Sequence, residues 1–267
     1  AGWITTSYPT QCKGDAARTA RELGGQFYRI VCAGGDGTLS EVVSGLSEVQ
    51  DPPPLGYIPF GSTNDCAATL RLPRKPREAA LVAAGTGVTV PIDVGALNGR
   101  PFIYVAAFGA FTKVAYETPQ ELKNTFGHLA YIFAGIASLP TIAPYRIRVE
   151  HDGQGLEDDF YFGMVSNSQS IGGIRPPSAN WVVLDDGLFE VTLVKKPLSL
   201  ADLTDGLQAL ANPGAVRSGA LLQFQASRVT FTCDQPIPWT ADGEFGGSQT
   251  VSRVVNRQKA LKIIRRE

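Results

Sequence analysis

The stretch VCAGGDGTLSEVVSGL (31–46) sets Gly34, Gly35 and Gly37 around Asp36, with an apolar run before it and a helical pattern after it. A strand end followed by a helix start points backbone N–H groups into the intervening loop, where glycine lets phosphate oxygens come close. The same residues also fit an ordinary glycine-rich turn. Neither G-x-x-x-x-G-K-[ST] nor G-x-G-x-x-G describes them. A second loop, PFGSTNDCA (59–67), supplies Gly61, the hydroxyls of Ser62 and Thr63, and the side chains of Asn64 and Asp65. Those residues suit a helix N-cap, and two such loops on neighbouring strands could line one crevice. Far along the chain, PWTADGEFGG (238–247) sets Asp242 and Glu244 around Gly243, and VVLDDGLFEV (182–191) carries another Asp-Gly pair. Asp-Gly is common surface-turn chemistry, so each of these also reads as a plain hairpin.

These residues must be held by elements, and composition bounds which. Apolar residues make up 43% and charged residues 18% of the 267, which describes a globular chain with room for one large core or two smaller ones. Lys and Arg total 24 against 25 Asp and Glu, a net charge of −1, so no broad positive field favours a nucleic-acid partner. Cys12, Cys32, Cys66 and Cys233 are far apart and form no CxxC pair, which argues against structural zinc or a disulfide framework and fits a reducing cytosol. His128 and His151 are the only histidines, too few for a His-rich metal site, and a Ser-His-Asp triad is not expected.

Up to about residue 90 the pattern alternates helix and strand. GDAARTARELG (14–24) reads as a helix, FYRIVCAGG (27–35) as a buried strand, and TLSEVVSGL (38–46) as a helix with Thr38 and Glu41 in capping-box register. PPPLGYIPFG (52–61) reads as a second strand, with another helix starting near STNDCAATL (62–70). Strand, glycine loop and helix in repetition predict a parallel sheet with ligand sites at the strand ends. From TVPIDVGALNGRPFIYVAAFG (89–109) onward the alternation is by twos, first around Asn98-Gly99, then in YRIRVEHDG, FYFGMVSNS, LFEVTLVKK, SRVTFTCD and ALKIIRRE. This predicts an antiparallel, β-rich second half. A helix is expected over roughly residues 119–139, and the uncharged stretch 129–145 reads as a buried helix followed by a loop, since Pro140 and Pro144 interrupt it.

The motif set as a whole resembles the diacylglycerol kinase catalytic family, in particular its bacterial soluble lipid kinases. KGDAA, GGDGTLSEVV, LGYIPFGSTND, DVGALNGRPFIYVAAFG, SNSQSIGG, LDDGLFEV and PWTADGEFGG occur in the family's order and span nearly the whole chain. GGDGT is shared with NAD kinases of the same superfamily, whereas LDDGLFEV with WTADGE points to the lipid-kinase branch. The resemblance implies two domains: a nucleotide-binding α/β domain (1–90) with a Rossmann-like, three-layer parallel sheet, and a β-rich catalytic and lipid-binding domain (91–267) built as an antiparallel β-sandwich. ATP would bind in the cleft between them. In the family a first strand and an Asn-Pro-x-Ser-Gly-like nucleotide loop come earlier, and this sequence, opening at Ala1, does not contain them.

Residue by residue, the resemblance implies that ATP meets Thr10, Gly34, Gly35, Asp36, Gly37, Thr38, Leu39, Ser40 and Glu41, and then Gly61, Ser62, Asn64 and Asp65. Ser62 stands where the family usually has Thr and keeps the hydroxyl. Glu244 would accept the proton of the lipid hydroxyl, and Asp242 is near enough to compete for that role or to hold magnesium. A structural Mg²⁺ would use the Asp186 carboxylate and the backbone carbonyls of Val183 and Leu188, oxygen donors that suit a hard cation. The implied activity is transfer of the ATP γ-phosphoryl group to a diacylglycerol-like hydroxyl, giving phosphatidic acid. A sphingoid base or NAD as acceptor, or a non-catalytic nucleotide- or lipid-binding relative, are the alternatives. The implied setting is the cytoplasm with peripheral contact to a membrane surface, and a homodimer is compatible with it. Phe108, Phe111, Phe126, Tyr131 and Phe133 are candidates to line an acyl slot, although aromatic residues at such positions also serve as ordinary core.

Overall fold

The computed structural model describes residues 2–109, 143–170, 182–195, 201–202, 205 and 219–267. Helices α1 (Asp15–Leu23), α2 (Asp36–Leu46), α3 (Asp65–Thr69) and α4 (Pro76–Leu81) interleave with strands β1 (Ile30–Gly34) and β2 (Leu55–Pro59). Nine more strands follow: β3 (Val88–Leu97), β4 (Arg100–Phe102), β5 (Val105–Gly109), β6 (Tyr145–His151), β7 (Gln154–Ser166), β8 (Phe189–Lys195), β9 (Leu221–Ala226), β10 (Arg228–Ala241) and β11 (Glu244–Arg265).

The early helices and strands lie where the sequence places them, although β1, expected to be buried, buries only Cys32 and leaves Val31 and Ala33 exposed. Leu39, Val43 and Leu46 of α2 are fully buried with Leu55 and Tyr57 of β2 and with Ile263 and Ile264 of β11. The α2 crossover makes β1 and β2 parallel, from Ile30 opposite Leu55 to Gly34 opposite Pro59. Hairpins are just as legible. Asn98-Gly99, Asp152-Gly153 and Asp242-Gly243 all have positive φ at both residues, the mirror-image turn that matches strand twist.

The architecture beyond β2 differs from the expected pair of sheets. All eleven strands belong to one sheet, ordered β1-β2-β11-β10-β5-β7-β8-β9, with β3, β4 and β6 attached. Within it β5, β7, β6 and β10 pair in a closed antiparallel circuit. The core is therefore a closed four-stranded antiparallel barrel with outer strands, and the expected Rossmann-like parallel sheet is not the fold. Among the described residues, parallel pairing is confined to β1 with β2 and to a single β11–β2 position, Ile263 opposite Leu55. The physical reason lies in β3 and β11. After α4 the chain enters a long strand that turns back at Asn98-Gly99, and β11 runs antiparallel to it from Val254 opposite Leu97 to Arg265 opposite Val88. The two strand–helix repeats of the first ninety residues never recruit a third.

The barrel interior explains several aromatic residues. Phe108, Phe160, Phe231 and Trp239 are fully buried there, with the Phe108 ring 4.8 Å from Trp239 and 5.6 Å from Phe231. Phe108 is thus barrel core rather than the wall of an acyl slot. Phe111, Phe126, Tyr131 and Phe133, the helix expected at 119–139 and most of the stretch 129–145 fall outside the described residues. Strand β9 is not among the strands expected from the sequence, although LQFQA (222–226) alternates by twos and Ser218-Gly219 precedes it as a turn signal. Among the described residues no helix is long and apolar enough to cross a membrane.

One buried acid sits on the outer sheet. Glu190 of β8 is 4% exposed; one carboxyl oxygen accepts from the Gln225 side chain, and the other has no partner among the described residues. Burial pushes its pKa up to about 8, so the folded chain keeps a proton there that the unfolded chain releases near the ordinary value of 4.5. Stability therefore falls as pH rises from about 5 to about 8. Glu190→Gln removes its share of that slope, and urea unfolding midpoints across this range, declining less steeply for the variant than for the parent chain, check it.

Candidate functional site

The two glycine loops meet backbone to backbone. Phe60 N–H donates to Gly34 C=O at 2.8 Å, and a Cβ on Gly61 would lie 2.8 Å from the Gly35 Cα. A Cβ on Gly34 would collide with the Thr38 side chain at 2.8 Å. None of Gly34, Gly35, Gly37 and Gly61 has positive φ, so close packing within the protein, not a left-handed turn, requires three of them. Gly37 is the exception. A Cβ there would meet nothing within 4 Å, and the position opens outward from the first turn of α2.

Helix α2 begins at Asp36 with Gly35 as its N-cap, so Thr38 lies inside the first turn and the expected Thr38–Glu41 capping box does not form. Thr38 packs against Gly34, and Glu41 instead accepts the Gly14 N–H at 2.9 Å, which ties the segment before α1 to α2. Asp36 turns toward the second loop, where one carboxyl oxygen accepts the Asp65 N–H at 3.2 Å and caps α3. Its other oxygen is buried and has no hydrogen-bond partner among the described residues. Burial raises the Asp36 pKa, and the neighbouring Asp65 charge raises it further.

The second loop is held by its own side chains. Asn64, in the left-handed region at φ 55°, accepts the Gly61 N–H at 2.9 Å and donates to the Gly61 carbonyl at 2.6 Å. Ser62 and Thr63 stand exposed at its tip. Asp65 is buried and accepts the Ser170 hydroxyl at 2.8 Å, while Thr69 and Ser168 share a 2.7 Å hydroxyl contact. Ser168 and Ser170 were legible only as parts of SNSQSIGG; their partners on α3 were not.

The β10–β11 turn brings in the remaining carboxylates. Asp242 is 3% exposed and accepts the backbone N–H groups of Ile103 (2.9 Å), Tyr104 (3.0 Å) and Val105 (3.2 Å). The Ser40 hydroxyl of α2 approaches it closely enough to favour the charged form. Burial raises the Asp242 pKa while these donors pull it back. Glu244, two residues on, behaves differently: its side chain is 42% exposed and pairs with the Lys13 ammonium. The glycine loops, Ser40, Glu41, Asp242 and Glu244 therefore form one connected group. Leu39 contributes only backbone to its surface, since its side chain is core, and Thr10 lies exposed on the segment leading to α1.

The predicted magnesium residues form a second group. Asp186 accepts the Leu188 N–H at 2.9 Å, and Val183 is exposed. Their turn is anchored by Asp93, within PIDVG (91–95). This fully buried carboxylate accepts Gly187 N–H (2.7 Å), Lys259 N–H (2.7 Å) and the Asn256 amide (3.1 Å). An Asp within an alternating strand was the one available signal, a charge at a position that had to be buried. Among the described residues no cluster of three or more His, Cys, Asp or Glu side chains could hold a metal by side chains alone. One carboxylate with two backbone carbonyls, completed by water, remains a donor set chemically suited to Mg²⁺.

Comparison with known proteins fits these pieces. Residues 1–97 match the diacylglycerol kinase catalytic domain, and residues 105–265 match the YegS C-terminal NAD kinase beta sandwich-like domain. The diacylglycerol kinase of Bacillus subtilis is 36% identical over 254 residues, covering 92% of this chain and 81% of that protein. That of Staphylococcus carnosus is 34% identical over 267 residues, covering 98% and 85%. A crystal structure from Bacillus anthracis strain Sterne superposes with a TM-score of 0.79 at 25% identity, covering 96% of this chain and 84% of that one. Matched along both halves, the chain belongs to the diacylglycerol kinase catalytic family.

Proposed function

We propose that the chain is an ATP-dependent lipid kinase that moves the γ-phosphoryl group to the hydroxyl of a diacylglycerol and so produces phosphatidic acid. The observation that carries this reading is the chain of contacts from Glu41 of α2 through Gly14 and Lys13 to Glu244, which supports an accessible carboxylate near the open first turn of α2. Phosphoryl transfer needs position and charge stabilisation more than covalent help from the protein. Gly37, Thr38 and their neighbours present N–H groups at a helix start, where phosphate oxygens are favoured. Ser62, Thr63 and the Asn64 loop form the facing wall.

Asp242 already accepts three backbone donors, which supports a positioning role for it, while the exposure of Glu244 supports Glu244 as proton acceptor. The lipid hydroxyl oxygen attacks the γ-phosphorus, its proton passes to the Glu244 carboxylate, and ADP leaves with the bridging oxygen. Mg²⁺, when bound, neutralises phosphate charge. A separate, structural Mg²⁺ would be held by the Asp186 carboxylate and the Val183 and Leu188 carbonyls of the second group. A diacylglycerol resides in a bilayer, so the reading also implies peripheral contact with a membrane surface.

Two outcomes test it. With γ-labelled ATP, Mg²⁺ and a panel of diacylglycerol, monoacylglycerol, sphingoid base, undecaprenol and NAD, label enters diacylglycerol. Glu244→Gln lowers that rate about 100-fold or more while ATP still binds; label appearing only in NAD would overturn the lipid acceptor. The glycines separate by role. Gly61→Ala lowers stability by about 1–3 kcal/mol through its clash with the Gly35 backbone. Gly37→Ala keeps or slightly raises the unfolding midpoint, yet weakens ATP binding about tenfold by filling the phosphate approach. Thermal unfolding and calorimetric ATP titration of the two variants read both effects.

A further inference from the structure

Lys13 has no role in the reading above, yet it joins two ends of the chain. Its ammonium bonds the Glu244 carboxylate across 231 positions of sequence, and among the described residues no other group bonds it. The next residue, Gly14, gives its N–H to Glu41 of α2. The backbone beside Lys13 is thereby pinned to the phosphate-loop helix while its side chain reaches the proposed base. Asp15 adds a second anchor by accepting the N–H groups of Gln11 (2.8 Å) and Cys12 (3.2 Å), which closes the segment into a compact turn over α1. The Lys13 side chain is 76% exposed, so its ammonium can move and remain solvated as it does so. Glu41 and Arg100 are the other charged groups that it senses.

An exposed Lys–Glu pair adds little to stability, so stability is a weak reason for the contact. The pair also conflicts with the chemistry, because the ammonium occupies a Glu244 carboxylate oxygen that the lipid hydroxyl would have to reach. Both points resolve if the ammonium has another acceptor during turnover. Resting on the kinase reading above, we propose that Lys13 is a γ-phosphate ligand: it parks on Glu244 when the site holds no nucleotide, and transfers to the γ-phosphate oxygens of ATP when the site fills. The transfer leaves Glu244 uncovered for the lipid hydroxyl and places a positive charge on the group that is to move. In the reaction itself the bond between the γ-phosphorus and the ADP oxygen breaks and the bond to the lipid oxygen forms. The lipid proton goes to Glu244, and Lys13 remains protonated throughout.

The distinguishing feature is the nucleotide. A γ-phosphate ligand affects ATP and not ADP, whereas a residue that merely braces the loop affects both or neither. In Lys13→Met, calorimetric titration with Mg²⁺ present is expected to show ATP bound about tenfold more weakly, with ADP binding unchanged. In the label-transfer assay kcat falls and KM for dispersed diacylglycerol holds, and Lys13→Arg restores most of the ATP affinity. Equal losses for ATP and ADP would overturn the proposal, as would no loss or a rise in kcat, the mark of a simple plug on Glu244. Absence of lipid phosphorylation by the parent chain would instead remove the kinase reading, a result separable from any effect of Lys13.

Discussion

Asp242 is a carboxylate placed almost wholly out of water, at the tip of a two-residue turn that would ordinarily lie on the surface. Such burial is costly unless donors replace the lost water. Here three successive backbone N–H groups, from Ile103 to Val105, point at it as the chain passes from β4 to β5, and the Ser40 hydroxyl approaches from α2. Each of these partners belongs to a different part of the site. The β4–β5 turn is continuous with the barrel through β5, Ser40 rides on the phosphate-loop helix, and the β10–β11 turn itself carries Glu244. One buried acid thus fixes the distance between the place where a phosphate would sit and the group that would accept a proton.

Asp93 repeats the device a short way off. It too is fully buried, and it too is surrounded by backbone donors, here from the Asp186–Gly187 turn and from the irregular stretch of β11 around Lys259. Around these two acids the chain bends β11 from the barrel to the flank of β2, and its 22 residues serve both cores. That continuity makes a single sheet of what the sequence divides.

Local features were legible because their causes are local. The stripe of α2, the apolar runs of β1 and β2, and the Asn98-Gly99 turn each announce themselves within a few residues. The glycines of GGDGT read as room for phosphate oxygens to approach, whereas Gly34, Gly35 and Gly61 pack against the protein's own atoms and Gly37 faces open space. The Thr38–Glu41 pattern misled because capping boxes depend on where the helix starts, and Gly35 starts it earlier. The antiparallel direction from β3 onward is legible in the alternation by twos, but the joining of all the strands into one sheet with a closed barrel is not, since the deciding contact, β3 with β11, spans most of the chain. Asp93 and Lys13 were passed over for a related reason: a lone Asp in a strand and a lone Lys in a loop acquire meaning only from residues far away.

The central claim is that Asp242 couples the base-bearing turn to the phosphate-loop helix. Amide hydrogen exchange on Asp242→Asn, compared with the parent chain, tests it most directly, because an asparagine presents its amide hydrogens to donors that need an acceptor. Faster exchange is predicted at Ile103–Val105 and, together with it, in the first turns of α2 from Asp36 to Glu41, while α4 and β8 keep their protection. Faster exchange at Ile103–Val105 with α2 unchanged would mean that the two halves of the site are held independently, and would contradict the account.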